Sequence, residues 1–403
     1  MMETYLFDWV SLLVRWLHMI AGIAWIGASF YFVWLDNHLR PVAASESADA
    51  AVSGELWAVH GGGFYRAQKY RVAPAVLPPT LHWFYWEAYT TWLSGFALLC
   101  VVYFMRADAY LIDPSVAALS PAAAIAIALA FIVGSWLLYD GLCRSPLGRN
   151  DRAVAGIVGL MCCAMAWGLC HLFSGRGAFM IFGAALGSIM VANVLFVIIP
   201  GQRELVHAKQ QGRPPDPTPG LRGKQRSVHN TYFTLPVLFV MMSNHYAMTY
   251  GASHNWVVLI AMSLAGACIR AWFVARHRAD ERGGRVSPVP AMLGGLILIG
   301  IIVMLSPTRA GPAAIGAALA RQSGVALIVE QRCQPCHARN PTEPGFDAPP
   351  NGLVFETIDQ VRLHLPEVQQ QLATRVMPLG NLTGMTEAER ARLLTWIARG
   401  APN

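Results

Sequence analysis

Apolar runs long enough to cross a lipid bilayer recur eight times in this chain, and they constrain its fold more than any other feature. A helix needs about 20 mainly apolar residues to cross the hydrocarbon core, and each run approaches or exceeds that length. The composition agrees, since 55% of the residues are hydrophobic and only 13% are charged. We therefore predict an all-α protein built on a polytopic eight-helix transmembrane bundle, with spans near residues 9–35, 87–105, 121–139, 153–173, 177–199, 231–250, 255–275 and 290–305.

The basic residues are distributed unevenly among the loops between these runs. The odd-numbered loops contain 17 Lys and Arg residues, and the even-numbered loops contain 2. Loops rich in Lys and Arg stay in the cytoplasm, so both termini are expected outside. The N-terminal residues lack the basic segment of a cleaved signal peptide, so the first run is expected to remain as a helix. Because the net charge of +7 comes from short loops, we expect no nucleic-acid partner.

A C-x-x-C-H motif lies near the C-terminus, at Cys333, Cys336 and His337. Two thiols in this spacing attach a c-type haem, and the adjoining histidine binds its iron. A zinc site would need further Cys or His nearby. Because such haem is attached on the outer side of a bacterial inner membrane, the motif agrees with an outside C-terminus. We expect a transmembrane catalytic domain at residues 1–305, a linker at 306–314 and a periplasmic, class I cytochrome c-like helical domain at 315–403.

The second axial ligand of such a haem is usually a methionine. Met377 precedes a proline and lies before the last helix, so it is the favoured ligand. Met385 directly precedes a capping box formed by Thr386 and Glu389, where an apolar residue packs as a hydrophobic staple. The alternative is a core methionine at 377 with His364 as the ligand.

The first apolar run contains Arg15 and His18, which share one helix face. Ionisable residues at membrane depth often serve function, and this pair suits a haem b, with His18 on the iron and Arg15 on a propionate. His245 is the preferred second iron ligand, ahead of His171 and His254. The alternative is a snorkelling arginine beside a hydrogen-bonded core histidine.

The predicted cytoplasmic loops concentrate groups suited to a planar, anionic substrate. Glycine runs expose backbone N–H groups, aromatic rings stack, cations bind charge and amides bind ring edges. The candidate substrate-binding residues are Gly61, Gly62, Gly63, Phe64, Tyr65, Arg66, Gln68, Lys69 and Asn230. The aromatic residues at 83–86 are equally explained by an interfacial belt.

Four residues on the same predicted side could transfer protons. The catalytic candidates are His60, His82, Glu87 and His229, and the sequence does not rank them. If they share one pocket, replacing His60 or His82 with alanine should abolish most turnover without affecting the haem.

Longer motifs in these loops resemble a known family. They are Trp-x-x-His-Gly-Gly-Gly-Phe-Tyr at 57–65, Gln-Lys-Tyr at 68–70, Trp-Glu-Ala-Tyr-Thr-Thr-Trp-Leu-Ser-Gly at 86–95 and His-Asn-Thr-Tyr-Phe-Thr-Leu-Pro at 229–236. Together with a fused C-terminal cytochrome c, they are similar to the bacterial membrane-bound urate oxidases, or urate hydroxylases. The resemblance implies oxidation of urate to 5-hydroxyisourate in purine catabolism. It also implies that electrons leave through haem c to a soluble cytochrome c or a terminal oxidase of the respiratory chain, without peroxide release.

Two other functions fit parts of the sequence. One is another membrane dehydrogenase, such as a quinol-linked enzyme, that uses haem c as its electron exit. The other is an electron carrier anchored by its helices, but an anchor needs one span and not eight with charged and histidine-bearing helices. Haem c accepts one electron at a time, so a two-electron oxidation needs a store for the second electron, which favours an extra centre near His18.

Overall fold

The computed structural model describes residues 2–42, 51–114, 116–282, 286–306, 324–344, 346 and 349–402. Most of the predicted linker and the start of the predicted cytochrome domain, residues 307–323, lie outside the described residues. In the described part the chain is mostly helical.

The described residues before position 307 lie mostly in helices, and polar residues cap the starts of several of these helices. Ser120 Oγ accepts the N–H of Ala123 at the start of α4, and Asn150 Oδ1 does the same for Arg152 and Ala153 in α5. The helices are α1 (Met2–His38), α2 (Trp86–Leu98), α3 (Ala107–Tyr110), α4 (Pro121–Arg144), α5 (Asp151–Cys170), α6 (Gly175–Asn193), α7 (Ile199–Gln210), α8 (Thr218–Ser243), α9 (Ala247–Tyr250), α10 (Asn255–Arg282) and α11 (Val289–Met304).

Two of these helices contain a π-helical turn. Leu99–Phe104 extends α2, and Val194–Ile198 joins α6 to α7. Residues Gly175–Gln210 therefore form one continuous helix of 36 residues. Such turns are often found at functional sites.

Six helical segments of the described chain are long and apolar enough to cross a membrane. They are Trp9–His38, Trp86–Phe104, Pro121–Arg144, Asp151–Cys170, Gly175–Gln210 and Asn255–Arg276. α11 is apolar but has only 16 residues. α8 begins with a polar half that carries Arg222, Lys224 and Arg226. The count of eight spans therefore stays a prediction.

The predicted sixth span extended too far. α8 ends at Ser243, and α9 forms a separate turn. The side chain of Asn244 explains the break, because its Oδ1 accepts hydrogen bonds from the Tyr103 hydroxyl at 3.2 Å and from Arg176 Nε at 3.1 Å.

The first loop contains a β-hairpin, which corrects the expectation of an all-α fold. Strand β1 (Val52–His60) pairs antiparallel with strand β2 (Gly63–Tyr70), and His60 lies opposite Gly63. Gly61 and Gly62 form the turn, with φ angles of 57° and 81°. A two-residue turn with positive φ at both positions favours glycine, so the glycine run has a structural cause.

α6 lies at the centre of the helical domain, and most of its residues are buried. It packs against α4, α5 and α8. The contact with α8 is close at Gly183, where an added Cβ would lie 2.7 Å from Val240 Cγ1. This close packing holds α4, α6 and α8 together, and those helices carry the polar residues described below.

Residues 324–402 have a second hydrophobic core. Its helices are α12 (Val325–Arg332), α13 (Gln334–His337), α14 (Ile358–Arg362), α15 (Leu365–Ala373) and α16 (Glu387–Ala398). Val329, Leu393 and Trp396 are buried in this core. The predicted capping box of α16 is confirmed, because Thr386 Oγ1 accepts the N–H of Glu389 and Glu389 Oε2 accepts the N–H of Thr386.

Candidate functional site

Two large cavities lie next to each other in the described part of the helical domain. The hairpin-side cavity, of about 1500 Å³, is bounded by the end of α1, the base of the hairpin, the start of α2, α7 and α8. The α5-side cavity, of about 1740 Å³, is bounded by α4, α5, α7, α8 and α10. Tyr232 of α8 lines both cavities. Since small-molecule sites usually enclose about 300–1,000 Å³, either cavity has room for a bicyclic ligand.

The hairpin-side cavity collects four of the predicted site residues: His82, Glu87, Lys69 and Asn230. His82 lies just before α2, and its ring packs edge-on against Phe84 with centroids 4.9 Å apart. Glu87 is in the first turn of α2, where the helix dipole favours a carboxylate. Two groups able to move protons therefore line the same cavity.

The same cavity also has charge and aromatic surface. Lys69 forms an ion pair with Asp36, the last acidic residue of α1. Arg71 lines the cavity beside this pair, together with the rings of Trp83 and Phe84. A planar anion placed here would meet Arg71 and stacking faces, and it would meet Lys69 where it replaced Asp36 as the partner of that cation.

The tip of the hairpin lies away from both cavities. His60, the three glycines, Phe64, Tyr65, Arg66 and Gln68 do not line either of the two cavities described above. Phe64 is 78% exposed and Tyr65 is 56% exposed. The structure thus separates these predicted residues from His82 and Glu87. The signal for this arrangement was present in the sequence, because two glycines between alternating segments are a hairpin pattern.

Arg66 and Gln68 have a local role in the hairpin. Arg66 Nε donates to Glu55 Oε2 at 2.7 Å, and Gln68 Nε2 donates to the same oxygen at 3.1 Å. The hydrogen bonds from Gln68 and Arg66 hold the pKa of Glu55 below its ordinary value. The two side chains predicted to bind substrate are therefore bound to the opposite strand.

His229 belongs to a buried polar network and faces the α5-side cavity. Its Nδ1 lies 2.7 Å from the Tyr139 hydroxyl. Asn193 Nδ2 donates to that hydroxyl at 3.2 Å and to Asn230 Oδ1 at 2.8 Å. Asn230 Nδ2 donates to the carbonyl of Met190 at 2.9 Å. Both ends of the Asn230 amide are therefore bonded within the protein, even though Asn230 lines the hairpin-side cavity.

Arg226 supplies the charge of this network. It is only 4% exposed, and its Nη2 donates to Asp140 Oδ1 at 2.7 Å. Arg144 Nε donates to the other oxygen of Asp140 at 2.6 Å. The Arg226 guanidinium also lies 4.8 Å from the Tyr139 ring centroid. A buried arginine with a carboxylate partner and an aromatic neighbour holds α4 and α8 in a fixed relation.

Sequence reasoning missed four members of this polar network: Tyr139, Asp140, Asn193 and Arg226. Asn193 carried a signal, because it is a lone amide within an apolar run. Arg226 was counted only as a basic residue of the fifth loop, and Asp140, at the end of the third apolar run, was not considered. They are 86 positions apart in the sequence, so only the packing of α4 against α8 pairs them.

His18 is held between α1 and α2. Its Nδ1 lies 2.9 Å from the Thr91 carbonyl oxygen and 3.1 Å from Ser94 Oγ. Gly95 makes room for the ring, since an added Cβ would lie 2.8 Å from His18 Cε1. These contacts suit both a packed core histidine and an oriented iron ligand, so the haem b stays a prediction.

The other two residues predicted for haem b make no hydrogen bond or ring contact with His18 in the described part of the chain. Arg15, one turn before His18 in α1, donates to Ser11 at 3.2 Å. His245 follows the end of α8 and is exposed.

The C-x-x-C-H residues lie at the junction of α12 and α13. The His337 N–H donates to the Cys333 carbonyl at 2.9 Å, which closes the turn around both thiols. His337 Nδ1 lies 2.9 Å from the Leu353 carbonyl oxygen, an arrangement that leaves Nε2 available to an iron. Burial lowers the pKa of His337 and so favours the neutral ring that binds metals. Burial also raises the pKa of Cys333 to about 12 and that of Cys336 to about 11.

The structure places Met385 in the core, whereas the role of Met377 as an iron ligand stays a prediction. Met385 is 3% exposed and belongs to the hydrophobic core, as a staple residue should. Met377 lies in a loop before α16, and its carbonyl accepts a hydrogen bond from Arg390 Nη1 at 2.6 Å. His364, the alternative ligand, precedes α15 and its ring lies 6.1 Å from that of Phe355.

The second domain contains the residue types that a c-type haem uses, and the haem c itself stays a prediction. The described residues contain no group of three or more His, Cys, Asp or Glu side chains arranged to hold a metal. Two thiols, one oriented imidazole and one thioether are the groups that a covalent haem uses.

Comparison with known proteins gives one match. The family model described as urate oxidase N-terminal matches residues 4–306. The match covers α1 to α11, including both cavities, and ends before the C-x-x-C-H motif. No curated protein and no solved structure matches the chain significantly.

Proposed function

Because the chain belongs to the urate oxidase N-terminal family, we propose that it is a membrane-bound urate oxidase that passes electrons to a covalently bound haem c. The family match is the observation that supports urate as the substrate, since the match spans the helical domain. The haem c is supported by the donor set of Cys333, Cys336, His337 and Met377.

The reaction needs an electron acceptor and water. Urate and one water molecule give 5-hydroxyisourate, two protons and two electrons. A C–O bond forms between the water oxygen and C5 of the ring, and the oxidant takes the two electrons in separate steps. No oxygen is consumed at the urate site and no peroxide forms there.

The hairpin-side cavity is the proposed urate site. Lys69 and Arg71 bind the charge of the urate anion, and Trp83 and Phe84 contact its flat faces. His82 and Glu87 remove protons from the water and the ring. The buried network of Tyr139, Asn193 and His229 positions Asn230 in the wall of this cavity.

The second domain holds the proposed electron exit. Cys333 and Cys336 would bind the haem covalently, and His337 Nε2 and Met377 Sδ would bind its iron. The bound haem would supply one-electron redox chemistry between the helical domain and a soluble cytochrome c or a terminal oxidase. Because urate loses two electrons, a second redox centre is needed to store one of them, and His18 is the candidate ligand of that centre.

We place the protein in a bacterial inner membrane with both termini in the periplasm. The six apolar helices support the membrane location. The excess of Lys and Arg in the odd-numbered loops supports a cytoplasmic position for the hairpin and for the urate site. Substrate then enters from the cytoplasm, and electrons leave on the periplasmic side.

Urate loss in membrane vesicles tests this proposal. A terminal-oxidase inhibitor should stop urate loss, and vesicles without inhibitor should form no peroxide. Peroxide produced in proportion to urate consumed would contradict the haem c route. The inhibitor experiment also separates the enzyme from an anchored electron carrier, which would leave urate unchanged in both conditions.

A further inference from the structure

The loop that carries Met377 contacts the helical domain directly. We define the ligand loop as residues 376–381. Its Leu379–Asn381 turn lies against α3 (Ala107–Tyr110). Gly380 makes the closest approach, since an added Cβ would lie 2.8 Å from the carbonyl oxygens of both Asp108 and Ala109. Val376 packs against the hydrophobic core of the helical domain.

The helical side of this contact is firmly held. α3 has only four residues, so other parts of the chain must fix it. Ser174 Oγ donates to the Tyr110 carbonyl at 2.8 Å. The Arg176 guanidinium lies 4.8 Å from the Tyr110 ring centroid and 6.0 Å from that of Tyr103, whose hydroxyl is bound by Asn244. α3 is thus a fixed platform connected to α2, α6 and the end of α8.

The cytochrome side is also held from within. Arg390 of α16 is 6% exposed and donates to the carbonyls of Leu372 and Met377, at 3.2 Å and 2.6 Å. Arg390 also pairs with Glu387 of its own helix, so the backbone of the ligand loop is fixed from within the second domain.

We propose that the ligand loop and α3 form the docking surface through which electrons pass from the helical domain into haem c. This inference rests on the proposed function. Each transfer moves one electron from the urate-oxidising domain to a ferric haem c, which becomes ferrous. Tyr110, the last residue of α3, and Tyr103, before α3, have ring centroids 6.1 Å apart and extend aromatic surface from the contact into the helical domain. Gly380 is a positioning residue, because its lack of a side chain sets the distance between the domains.

Substitution of Gly380 tests the surface with a matched control. Gly380 and Gly384 both have left-handed backbones, with φ angles of 55° and 65°. A Cβ at Gly384 would meet only Arg332 Nη1, at 3.8 Å. Gly380→Ala and Gly384→Ala therefore share the backbone strain, but only Gly380→Ala pushes the domains apart. In the holoprotein, Gly380→Ala should slow haem reduction by urate severalfold, because the electron must cross a longer distance between the two domains. Reduction by ascorbate should stay unchanged.

A variant on the other side of the contact controls for the possibility that Gly380→Ala misfolds the cytochrome domain. Ala109→Trp adds a bulky ring to the α3 platform and leaves residues 324–402 unaltered. It should give the same selective loss of urate-driven reduction. Equal rates of urate-driven reduction in Gly380→Ala, Ala109→Trp and Gly384→Ala would overturn the proposal.

Cross-linking supplies a readout that does not depend on activity. Ala109→Cys combined with Asn381→Cys should be joined by a short bismaleimide in the full-length holoprotein, as detected by mass spectrometry of the linked peptides. Ala109→Cys combined with Gly400→Cys is the control pair and should remain unlinked, since Gly400, unlike Gly380, makes no close approach to α3: an added Cβ there would meet nothing within 4 Å. A missing link in the first pair would overturn the docking surface. A link in the first pair, together with a wild-type protein whose haem c urate never reduces, would instead refute the proposed function.

Discussion

His82 is the residue on which the proposed chemistry depends most. It lines the hairpin-side cavity with Glu87, whereas His60 lies beside the hairpin turn, outside both cavities. We expect His82→Ala to lower urate turnover by about 10²–10⁴, the usual effect of losing a catalytic base. His60→Ala is the matched control and should keep turnover near that of the wild type. Steady-state rates normalised to haem c content make the comparison.

The opposite ranking would relocate the site. Loss of turnover in His60→Ala with normal turnover in His82→Ala would mean that the exposed hairpin tip binds urate. The glycine run would then regain the ligand-binding role that the sequence alone predicted for it.

Tyr139 tests whether the buried network stabilises the helical domain. Tyr139→Phe removes the hydroxyl that contacts His229 and Asn193. Two buried polar groups lose a partner, so we expect the free energy of unfolding to fall by roughly 1–3 kcal/mol. Thermal unfolding in detergent measures the change. Tyr65→Phe, at an exposed ring, should leave stability unaltered, and an equal effect of both variants would contradict the network.

The residues that the sequence could identify differ physically from those it could not. Cys333, Cys336 and His337 form a contiguous motif, so their chemistry can be read without a fold. Tyr139, Asn193 and Arg226 come from three helices and meet only when α4, α6 and α8 pack. No local pattern of residues predicts that meeting.

At the level of elements, long apolar helices could be predicted and the hairpin was missed. Apolar runs specify helices because a membrane satisfies no backbone hydrogen bonds. The segment at residues 52–70 was instead interpreted by its chemistry, as a set of ligand-binding groups. Its Gly61-Gly62 turn and alternating side chains indicate two strands, and the pairing of Glu55 with Arg66 and Gln68 occupies two of those groups.

The capping box of α16 predicts a pH dependence of stability. Partial burial raises the pKa of Glu389, but hydrogen bonds from Thr386 and Arg332 outweigh it and hold the pKa below its ordinary value. The unfolded chain therefore binds a proton at Glu389 more readily than the folded chain does. The stabilisation is complete above the ordinary glutamate pKa of about 4.3 and is lost as the pH falls through the lower folded value.

Glu389→Gln should flatten this dependence. We expect the variant to lose about 1–2 kcal/mol of stability at neutral pH, from the weakened bonds to Thr386 and Arg332. Below the folded pKa it should approach the wild type. Denaturation of the holoprotein, followed by haem absorbance across the acid range, measures both. Glu367→Gln, at an exposed position of α15, is the control, and a pH profile of Glu389→Gln that parallels the wild type would exclude the capping contribution.

The whole molecule makes a prediction about topology. Gly212 lies in the turn between α7 and α8, with open space around it, and is a site where a reporter disturbs little. A reporter inserted there should lie in the cytoplasm, while reporters inserted after Asp113 or fused after Pro402 should lie in the periplasm. Phosphatase and fluorescent-protein fusions report the two sides. A periplasmic signal at Gly212 would show that the spans have been miscounted.

The two halves of the chain differ in how far the sequence predicted them. The cytochrome-like half depends on a motif and a capping box, and both are local. The helical half contains two cavities that share α8 as a wall. Their position follows from the packing of the helices, which no local sequence pattern specifies. The contact between the halves also could not be predicted, because it depends on how closely Gly380 approaches α3.

Anaerobic addition of urate to the oxidised holoprotein tests the central claim most directly. Haem c absorbance reports reduction, and a soluble c-type cytochrome added in excess counts the electrons. We expect haem c to be reduced without oxygen, with two electrons delivered for each urate converted to 5-hydroxyisourate. If haem c stays oxidised under these conditions and urate is consumed only when oxygen is admitted, with peroxide formed in equal amount, the account is contradicted.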